Sequence, residues 1–401
     1  YLLATEKIPD EVEGCEMLMI DSPASTATFR TIALHADTAY TLLYTKYTAF
    51  EPGQFAFERL LAIAGDTNAG MLYADRYLLK NGNSQQAPVI DYQKGSLRDD
   101  FDFGSLLFFR SSVLKQAVRA MDADYRFAGL YDLRLRVSEL AELVHVNEYL
   151  YSEVETDIRK SGEKLFDYVD PKNRAVQIEL EAVCTAYLKR VGGYLAPDFE
   201  PVTFDAGGFE QEASVIIPVR NRIRTIEDAI RSVLAQKTTF RFNLIIVDNH
   251  STDGTSEAIG KYTADGRVVH LVPERSDLGI GGCWNVGVHH PACGKFAVQL
   301  DSDDVYSGPD TLQKIVDAFY EQNCAMVVGT YRMTDFKMNE IPPGIIDHRE
   351  WTLENGRNNA LRINGLGAPR AFYTPVLRRI NLPNTSYGED YALGLRISRT
   401  W

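Results

Sequence analysis

A run of acidic residues directly follows an apolar segment in the sequence "FAVQLDSDD", residues 296–304. Ser302 separates Asp301 from Asp303 and Asp304. Divalent cations such as Mg²⁺ and Mn²⁺ prefer oxygen ligands, and they take few protein carboxylates when phosphate and water fill the remaining positions. The run is therefore a candidate metal site, although clustered aspartates are also common in ordinary turns.

A second acidic pair, Glu389-Asp390, lies in the stretch "GEDYALGLRIS". A carboxylate here could act as a general base that takes the proton of a hydroxyl group. It could equally stabilise the start of a helix, because negative charge in a first turn interacts favourably with the helix dipole. Both interpretations fit the pair taken alone.

The segment from residue 213 onward predicts an α/β fold. Short apolar runs alternate with stretches of helical spacing, which is typical of a mostly parallel sheet covered on both faces. The runs are "ASVIIPV" (213–219), "NLIIVD" (243–248), "VVHLVP" (268–273) and "FAVQLD" (296–301). Ligands of such sheets bind beyond the carboxyl ends of the strands. We therefore expect Pro218, Asp248 and Asp301 at one edge of the sheet.

The N-terminal part of the chain repeats the C-terminal part with weak identity. In a hand alignment, Leu43–Tyr47 faces Leu300–Asp304, and Gly129-Leu130 faces Glu389-Asp390. The other aligned stretches are 57–64 with 312–319, 68–74 with 323–329, 104–115 with 367–378 and 128–138 with 388–398. The first copy therefore lacks the carboxylates of both acidic motifs.

This pattern predicts three parts of the chain. Residues 1–155 would form a degenerate partial copy of the fold, and residues 156–212 a helical connector and linker. Residues 213–401 would form the catalytic domain.

The composition narrows the class of protein. The 401 residues include 55 acidic and 42 basic side chains, and the net charge of −13 argues against nucleic-acid binding. The five cysteines are odd in number and contain no C-x-x-C, which indicates reduced thiols and a cytoplasmic location. No apolar run reaches the ~18 residues of a membrane-spanning helix. Peripheral association with the inner face of the membrane stays open.

The motifs of the C-terminal part, taken in order, resemble those of family 2 glycosyltransferases. They are "ASVIIPVRNRIRTIEDAIRSVLAQ", "IIVDNHSTDGTSEAI", "DLGIGGCWNVGV", "QLDSDD" and "GEDYALGLRIS". The resemblance implies a GT-A fold, in which an α/β domain binds a sugar nucleotide and a divalent metal, Mg²⁺ or Mn²⁺.

The resemblance also implies the roles of the donor-side residues. Pro218, Val219 and Asn221 would line the base pocket, and Asp248 would accept a hydrogen bond from the base. Asn285 would pack beside the donor. Arg222 stands where the family often has an acidic residue, which leaves the identity of the base open.

The acidic motifs receive the remaining roles. Asp303 would ligate the metal, and Asp301 would contact the ribose and support the metal site. Asp390 would be the catalytic base, with Glu389 helping to bind the acceptor or metal-bound groups.

The resulting prediction is a metal-dependent, inverting glycosyltransferase. It would move a sugar from a nucleotide-diphosphate donor, with a UDP-sugar as the first expectation, to a hydroxyl of a glycan or lipid-linked acceptor. Its product would be a polysaccharide or cell-surface glycan. The alternatives are a sugar-nucleotide pyrophosphorylase and a non-catalytic carbohydrate-binding scaffold.

Overall fold

The computed structural model describes residues 1–6, 13–80, 82–155, 173–205 and 207–401. The chain forms two compact units, Tyr1–Tyr194 with Leu361–Ile363, and Leu195–Ala360 with Asn364–Trp401. The boundary after Tyr194 falls inside the predicted connector. Residues 156–172 of that connector lie outside the described residues.

The first unit contains a six-stranded mixed sheet, a separate pair of strands (β1 and β2) and several helices. Its strands are β1 (Leu2–Ala4), β2 (Met17–Met19), β3 (Tyr40–Tyr44), β4 (Phe50–Pro52), β5 (Met71–Lys80), β6 (Asn83–Ala87), β7 (Leu106–Arg110) and β8 (Leu143–Val154). Its helices are α1 (Thr26–Leu34), α2 (Ala56–Thr67), α3 (Ser111–Arg119), α4 (Gly129–Leu140) and α5 (Arg174–Val191). The sheet order is β3-β7-β5-β8-β4, with β6 paired to β5. Of these pairings, β5 with β8 is parallel and the others are antiparallel.

The second unit contains the strands predicted from the apolar runs. Its strands are β9 (Ala213–Val219), β10 (Phe242–Asp248), β11 (Val268–Leu271), β12 (Phe296–Gln299), β13 (Met326–Val328), β14 (Tyr331–Thr334), β15 (Glu340–Ile346) and β16 (Arg370–Tyr373). Its helices are α6 (Ile226–Leu234), α7 (Thr255–Gly260), α8 (Ile280–His289), α9 (Thr311–Gln322), α10 (Gly356–Asn359), α11 (Thr374–Ile380) and α12 (Glu389–Ser398).

The main sheet of the second unit has the order β11-β10-β9-β12-β16-β13. Strands β11, β10, β9 and β12 run parallel, whereas β16 is antiparallel to both of its neighbours. Every residue of β10 is buried, as expected for a strand covered on both faces. Gly287 lets α8 pack close to β9, because a Cβ there would lie 2.8 Å from Ile216 Cγ2. The predicted mostly parallel α/β sheet is confirmed.

The two units share a set of elements in the same order. Helices α2 and α9 both span 12 residues, and each ends at an asparagine in the left-handed region, Asn68 (φ 54°) and Asn323 (φ 50°). The strand order β3-β7-β5 in the first unit matches β12-β16-β13 in the second. The pairing of Met71 with Phe109 likewise matches that of Met326 with Phe372.

The strand pairing corrects one part of the hand alignment. Tyr40 pairs with Arg110, whereas the residue paired with Tyr373 is Phe296. Strand β3 is therefore shifted by one residue from the alignment, and Thr45, Lys46 and Tyr47 correspond to Asp301, Ser302 and Asp303. The reason is that two short apolar strands fit each other almost equally well in neighbouring registers. The shift leaves the first unit without acidic residues at these positions.

Within the described ranges, no helix combines the length and hydrophobicity that spanning a membrane requires.

Candidate active site

The parallel strands of the second unit bring the predicted donor-side residues to one edge. In the sheet register, Asp248 at the end of β10 pairs with Val219 at the end of β9, and Val247 pairs with Pro218. Strand β12 ends at Gln299, which pairs with Ile216 of β9, so that Asp301 extends beyond the same edge. The chain thus places three separate sequence motifs side by side.

Asp248 is fully buried and is hydrogen-bonded within the protein. Its carboxylate accepts hydrogen bonds from the backbone N–H of Ser251 (3.0 Å) and from the Ser256 hydroxyl, and His270 Nε2 lies 3.4 Å away. Burial opposes ionisation, but the bonds from Ser251 and Ser256 outweigh it and lower the pKa of Asp248. Asp248 therefore anchors the turn after β10 as a carboxylate. Its contact with a base stays a prediction.

Asn221 joins the loops that follow β9 and β10. Its backbone has a left-handed φ of 54°, and its N–H donates to Ser251 Oγ at 3.0 Å. Its side-chain Oδ1 accepts a hydrogen bond from the Thr252 N–H at 2.8 Å. Asn221 therefore holds these two loops together, and its place in a base pocket stays a prediction.

A cavity of about 220 Å³ opens at this edge. It is lined by Pro218, Val219, Arg220, Arg222, Asn249, Leu278, Ile280, Cys283, Ser302 and Ser386. Ligand pockets usually measure ~300–1,000 Å³, so this cavity would hold only part of a nucleotide. Pro218 and Val219 are among its walls, and their role in a base pocket stays a prediction.

Asn249 is a cavity residue that the sequence reasoning missed. It is buried, and its Nδ2 donates to Leu278 O at 2.8 Å. Its Oδ1 is buried without a hydrogen-bond partner among the described residues. A ligand N–H could satisfy this atom, because an unmade buried hydrogen bond costs about 1–3 kcal/mol. The available signal was its position directly after Asp248 at a strand end.

The acidic run after β12 is crowded with negative charge. Burial, together with the charges of Asp301 and Asp303, raises the pKa of Asp304 to about 6. Burial likewise raises the pKa of Asp301. Asp303 is half-exposed, and the Arg222 guanidinium Nε lies 3.7 Å from its Oδ2. The charge at this loop is therefore only partly balanced by the protein.

The second acidic pair lies near the first. Asp390 Oδ2 is 2.6 Å from Arg370 Nη1. Arg370 also donates to Gln299, which in turn donates to Asp301, so hydrogen bonds connect the two motifs. Burial raises the pKa of Glu389, and its Oε2 has no hydrogen-bond partner in the part of the chain that the structure describes. Asp390 is the more accessible of the two, with its side chain 31% exposed.

The glycine-rich start of α8 packs against the loop before α12. The Gly281 N–H donates to Thr385 O at 3.0 Å, and the Gly279 N–H donates to Asn384 Oδ1 at 2.8 Å. A Cβ on Gly281 would lie 2.0 Å from Pro383 O. These N–H groups are therefore used inside the protein, and the glycines serve close packing.

Asn285, one turn further along α8, also contacts the loop before α12. Its Nδ2 donates to Leu382 O at 2.8 Å, and its Oδ1 accepts from the Leu382 N–H at 3.0 Å. Both ends of the amide thus hold the loop that leads to Glu389. The predicted packing of Asn285 beside the donor stays a prediction.

We expect Gly281→Ala to destabilise the protein by about 1–3 kcal/mol, because the added methyl group would overlap a backbone oxygen. Chemical denaturation would measure the change. Gly260→Ala is the matched control, since a Cβ at this last position of α7 would meet nothing within 4 Å. Equal denaturation midpoints for Gly281→Ala and the wild-type protein would contradict the packing role.

The carboxylates of the acidic run, Asp301, Asp303 and Asp304, decide whether a divalent metal fits this site. Among the described residues, no three His, Cys, Asp or Glu side chains are arranged to hold a metal ion by themselves. The partly balanced charge of Asp301, Asp303 and Asp304 would nevertheless be stabilised by a divalent cation. Mg²⁺ commonly binds through one or two carboxylates plus substrate phosphates and water. The donor set therefore fits a metal that arrives with a diphosphate.

The fold and this edge define an α/β domain whose acidic site lies beside a cavity at the ends of parallel strands. Residues 214–379 match the family model described as glycosyl transferase family 2. The resemblance found in the sequence is therefore confirmed for this segment.

Two relatives found by sequence are also named as glycosyltransferases. The chain is 33% identical over 120 residues to a putative teichuronic acid biosynthesis glycosyltransferase, TuaG, of Bacillus subtilis, covering 30% of this chain and 46% of that protein. It is 38% identical over 97 residues to an uncharacterized glycosyltransferase of Rickettsia conorii, covering 24% of this chain and 15% of that protein. The chain thus spans less than half the length of these relatives.

Among solved structures, the chain is similar to S. aureus TarS 1-349 in complex with UDP-GlcNAc. The TM-score is 0.38 and the identity 23%, with 47% of this chain and 53% of that chain covered.

Proposed function

We propose that the second unit is a metal-dependent, inverting glycosyltransferase acting on a nucleotide-diphosphate sugar. The observation that supports this most is the meeting of two acidic motifs, Asp301–Asp304 and Glu389-Asp390, beside a cavity at the sheet edge. Either motif alone fits a turn or a helix start. Strands β13 to β16 separate the two motifs in sequence. A role in a turn or at a helix start would therefore not require the two motifs to lie close together in the structure.

In this proposal, Asp390 takes the proton of an acceptor hydroxyl as the hydroxyl oxygen attacks the anomeric carbon of the donor. The bond from that carbon to the diphosphate breaks, and a nucleoside diphosphate leaves. A single displacement inverts the anomeric configuration. The partial exposure of Asp390 supports this role over the buried Glu389, because the base must reach an acceptor.

On the donor side, the cavity would receive part of the nucleotide against Pro218, Val219 and Asn249. Mg²⁺ or Mn²⁺, held by Asp303 with support from Asp301, would supply Lewis-acid stabilisation of the leaving diphosphate. The name of the B. subtilis relative supports a cell-surface glycan as the product. A cytoplasmic location and a glycan or lipid-linked acceptor stay predictions from the sequence.

A donor screen tests the proposal. The protein would be incubated with Mn²⁺, simple glycan acceptors and UDP-, GDP- and dTDP-sugars, and the release of nucleoside diphosphate would be measured. We expect release from donors of one base. Formation of a nucleoside triphosphate on addition of pyrophosphate would instead indicate a pyrophosphorylase, and absence of both reactions would contradict the proposal.

A further inference from the structure

A chain of hydrogen bonds connects the two acidic motifs of the second unit. Gln299 Nε2 donates to Asp301 Oδ1 at 3.0 Å, and Arg370 Nη1 donates to Gln299 Oε1 at 2.9 Å. The same Nη1 lies 2.6 Å from Asp390 Oδ2. We call this connection, Asp301–Gln299–Arg370–Asp390, the polar bridge.

Arg370 is buried and hydrogen-bonded at the centre of the polar bridge. Its residue is only 7% exposed, and its Nε donates to Leu366 O at 2.6 Å. Gln299 is buried to a similar degree, at 8% exposure. Burying a charge is costly even when it is paired, and apolar replacement of buried ion pairs is often neutral or stabilising. The polar bridge is therefore poorly explained by stability alone.

The first unit has leucines at the positions that correspond to three residues of the polar bridge. Under the corrected alignment, Leu43 corresponds to Gln299, Leu107 to Arg370 and Leu130 to Asp390. Leu43 and Leu107 pair across β3 and β7. All three leucines lie in or against one apolar cluster. Shared elements of the two units can therefore form with leucines at these positions, without the polar bridge.

We propose that Arg370 is a positioning residue that, together with Gln299, holds the Asp390 carboxylate in a fixed orientation relative to Asp301. This inference rests on the proposed function, in which Asp390 faces the acceptor and Asp301 faces the donor. The polar bridge would align the two sides of the transfer reaction.

Arginine suits this task because of its geometry. Its guanidinium presents several N–H donors in a rigid plane, whereas lysine offers one flexible ammonium group. Arg370 uses Nη1 toward Gln299 and Asp390 and Nε toward Leu366. Arg370→Lys keeps the positive charge and cannot reproduce this set of contacts, so it separates positioning from charge.

We expect Arg370→Lys to lower kcat by roughly 10–100-fold, because a misplaced catalytic group can reduce the rate by about that factor. The KM for the donor should change by less than about threefold, since Arg370 is not among the residues lining the cavity. Gln299→Leu, which introduces the residue found in the first unit, should also lower kcat, because it removes the hydrogen bonds that Gln299 makes to Asp301 and Arg370. Thermal unfolding of each variant would verify that it folds.

The double variant Gln299→Leu/Arg370→Lys tests whether the two residues act together. Members of one network give non-additive effects. We therefore expect the double variant to be little slower than the slower single variant. Multiplying effects on kcat would contradict the polar bridge.

Arg378→Lys is the matched control. Arg378 also donates from a partly buried guanidinium, to Val288 O at 2.9 Å, but within the described part of the chain it forms no ion pair with a carboxylate. Its kcat should remain that of the wild-type protein.

The outcomes separate the two proposals. Absence of transfer by the wild-type protein would overturn the proposed function, and the role of Arg370 with it. Transfer by the wild-type protein with an unchanged kcat in Arg370→Lys would overturn only the positioning role. An equal loss in Arg370→Lys and Arg378→Lys would also overturn it, because the effect would then be one of general stability.

Discussion

Asp303→Ala is expected to lower sugar transfer by about 10³-fold or more, because a metal at a diphosphate contributes several kilocalories per mole to the transition state. Asp303 is the half-exposed carboxylate of the acidic run, paired only loosely with Arg222 at 3.7 Å. Donor binding in the presence of Mn²⁺ should weaken together with the rate. Initial rates of nucleoside diphosphate release and calorimetric titration would measure the two effects.

Asp317→Ala provides the control for this substitution. Asp317 is an exposed carboxylate on α9 that accepts a hydrogen bond from Gln313 at 2.8 Å. Its removal changes the net charge equally and should leave transfer intact. Wild-type rates in Asp303→Ala would show that the acidic run is a turn rather than a metal site.

Asp390→Asn is expected to lower kcat by roughly 10²–10⁴-fold, the usual contribution of a general base. The amide keeps the size of the side chain but cannot accept the acceptor's proton. Donor binding should largely persist, because the donor is assigned to the other side of the site. Steady-state kinetics and donor titration would show this separation of kcat from binding.

The competing interpretation of Asp390 is stabilisation of a helix start. Glu257→Gln is the control, because Glu257 is a carboxylate in the first turn of α7, away from the acidic motifs in sequence. Under the competing interpretation, both substitutions would lower the melting temperature slightly and leave transfer unchanged. That result would contradict the assignment of the base.

Much of the site could be predicted because strand ends can be recognised in the sequence of a parallel sheet. The apolar runs of β9, β10 and β12 each stop at polar residues, and parallel pairing brings their ends together. The sequence alone therefore predicts that Asp301 and Asp248 lie at one edge of the sheet. The fold class followed from the same alternation of runs.

Arg370 and Gln299 could not be predicted in this way. Each is a single polar residue in or beside an apolar strand, and a strand residue of this kind is usually expected to face solvent. Their importance depends on partners distant in sequence, such as Asp390 for Arg370. Only antiparallel pairing of β12 with β16 brings Arg370 and Gln299 into contact.

The packing partner of the glycine-rich start of α8 could not be predicted from the sequence either. A close approach of backbone can be expected from Gly281, but its partner cannot be identified from local sequence. The partner is the loop around Pro383, which comes shortly before the second acidic motif. The stretch therefore supports the position of Glu389-Asp390 through packing.

Calorimetric titration of the wild-type protein with nucleoside diphosphates tests the central claim most directly. The titrations would be made with UDP, GDP and dTDP, each with Mn²⁺ and with a chelator. The proposed donor site predicts binding of at least one of them that requires Mn²⁺. No binding, or equal binding with and without the metal, would contradict a metal-dependent donor site at this sheet edge.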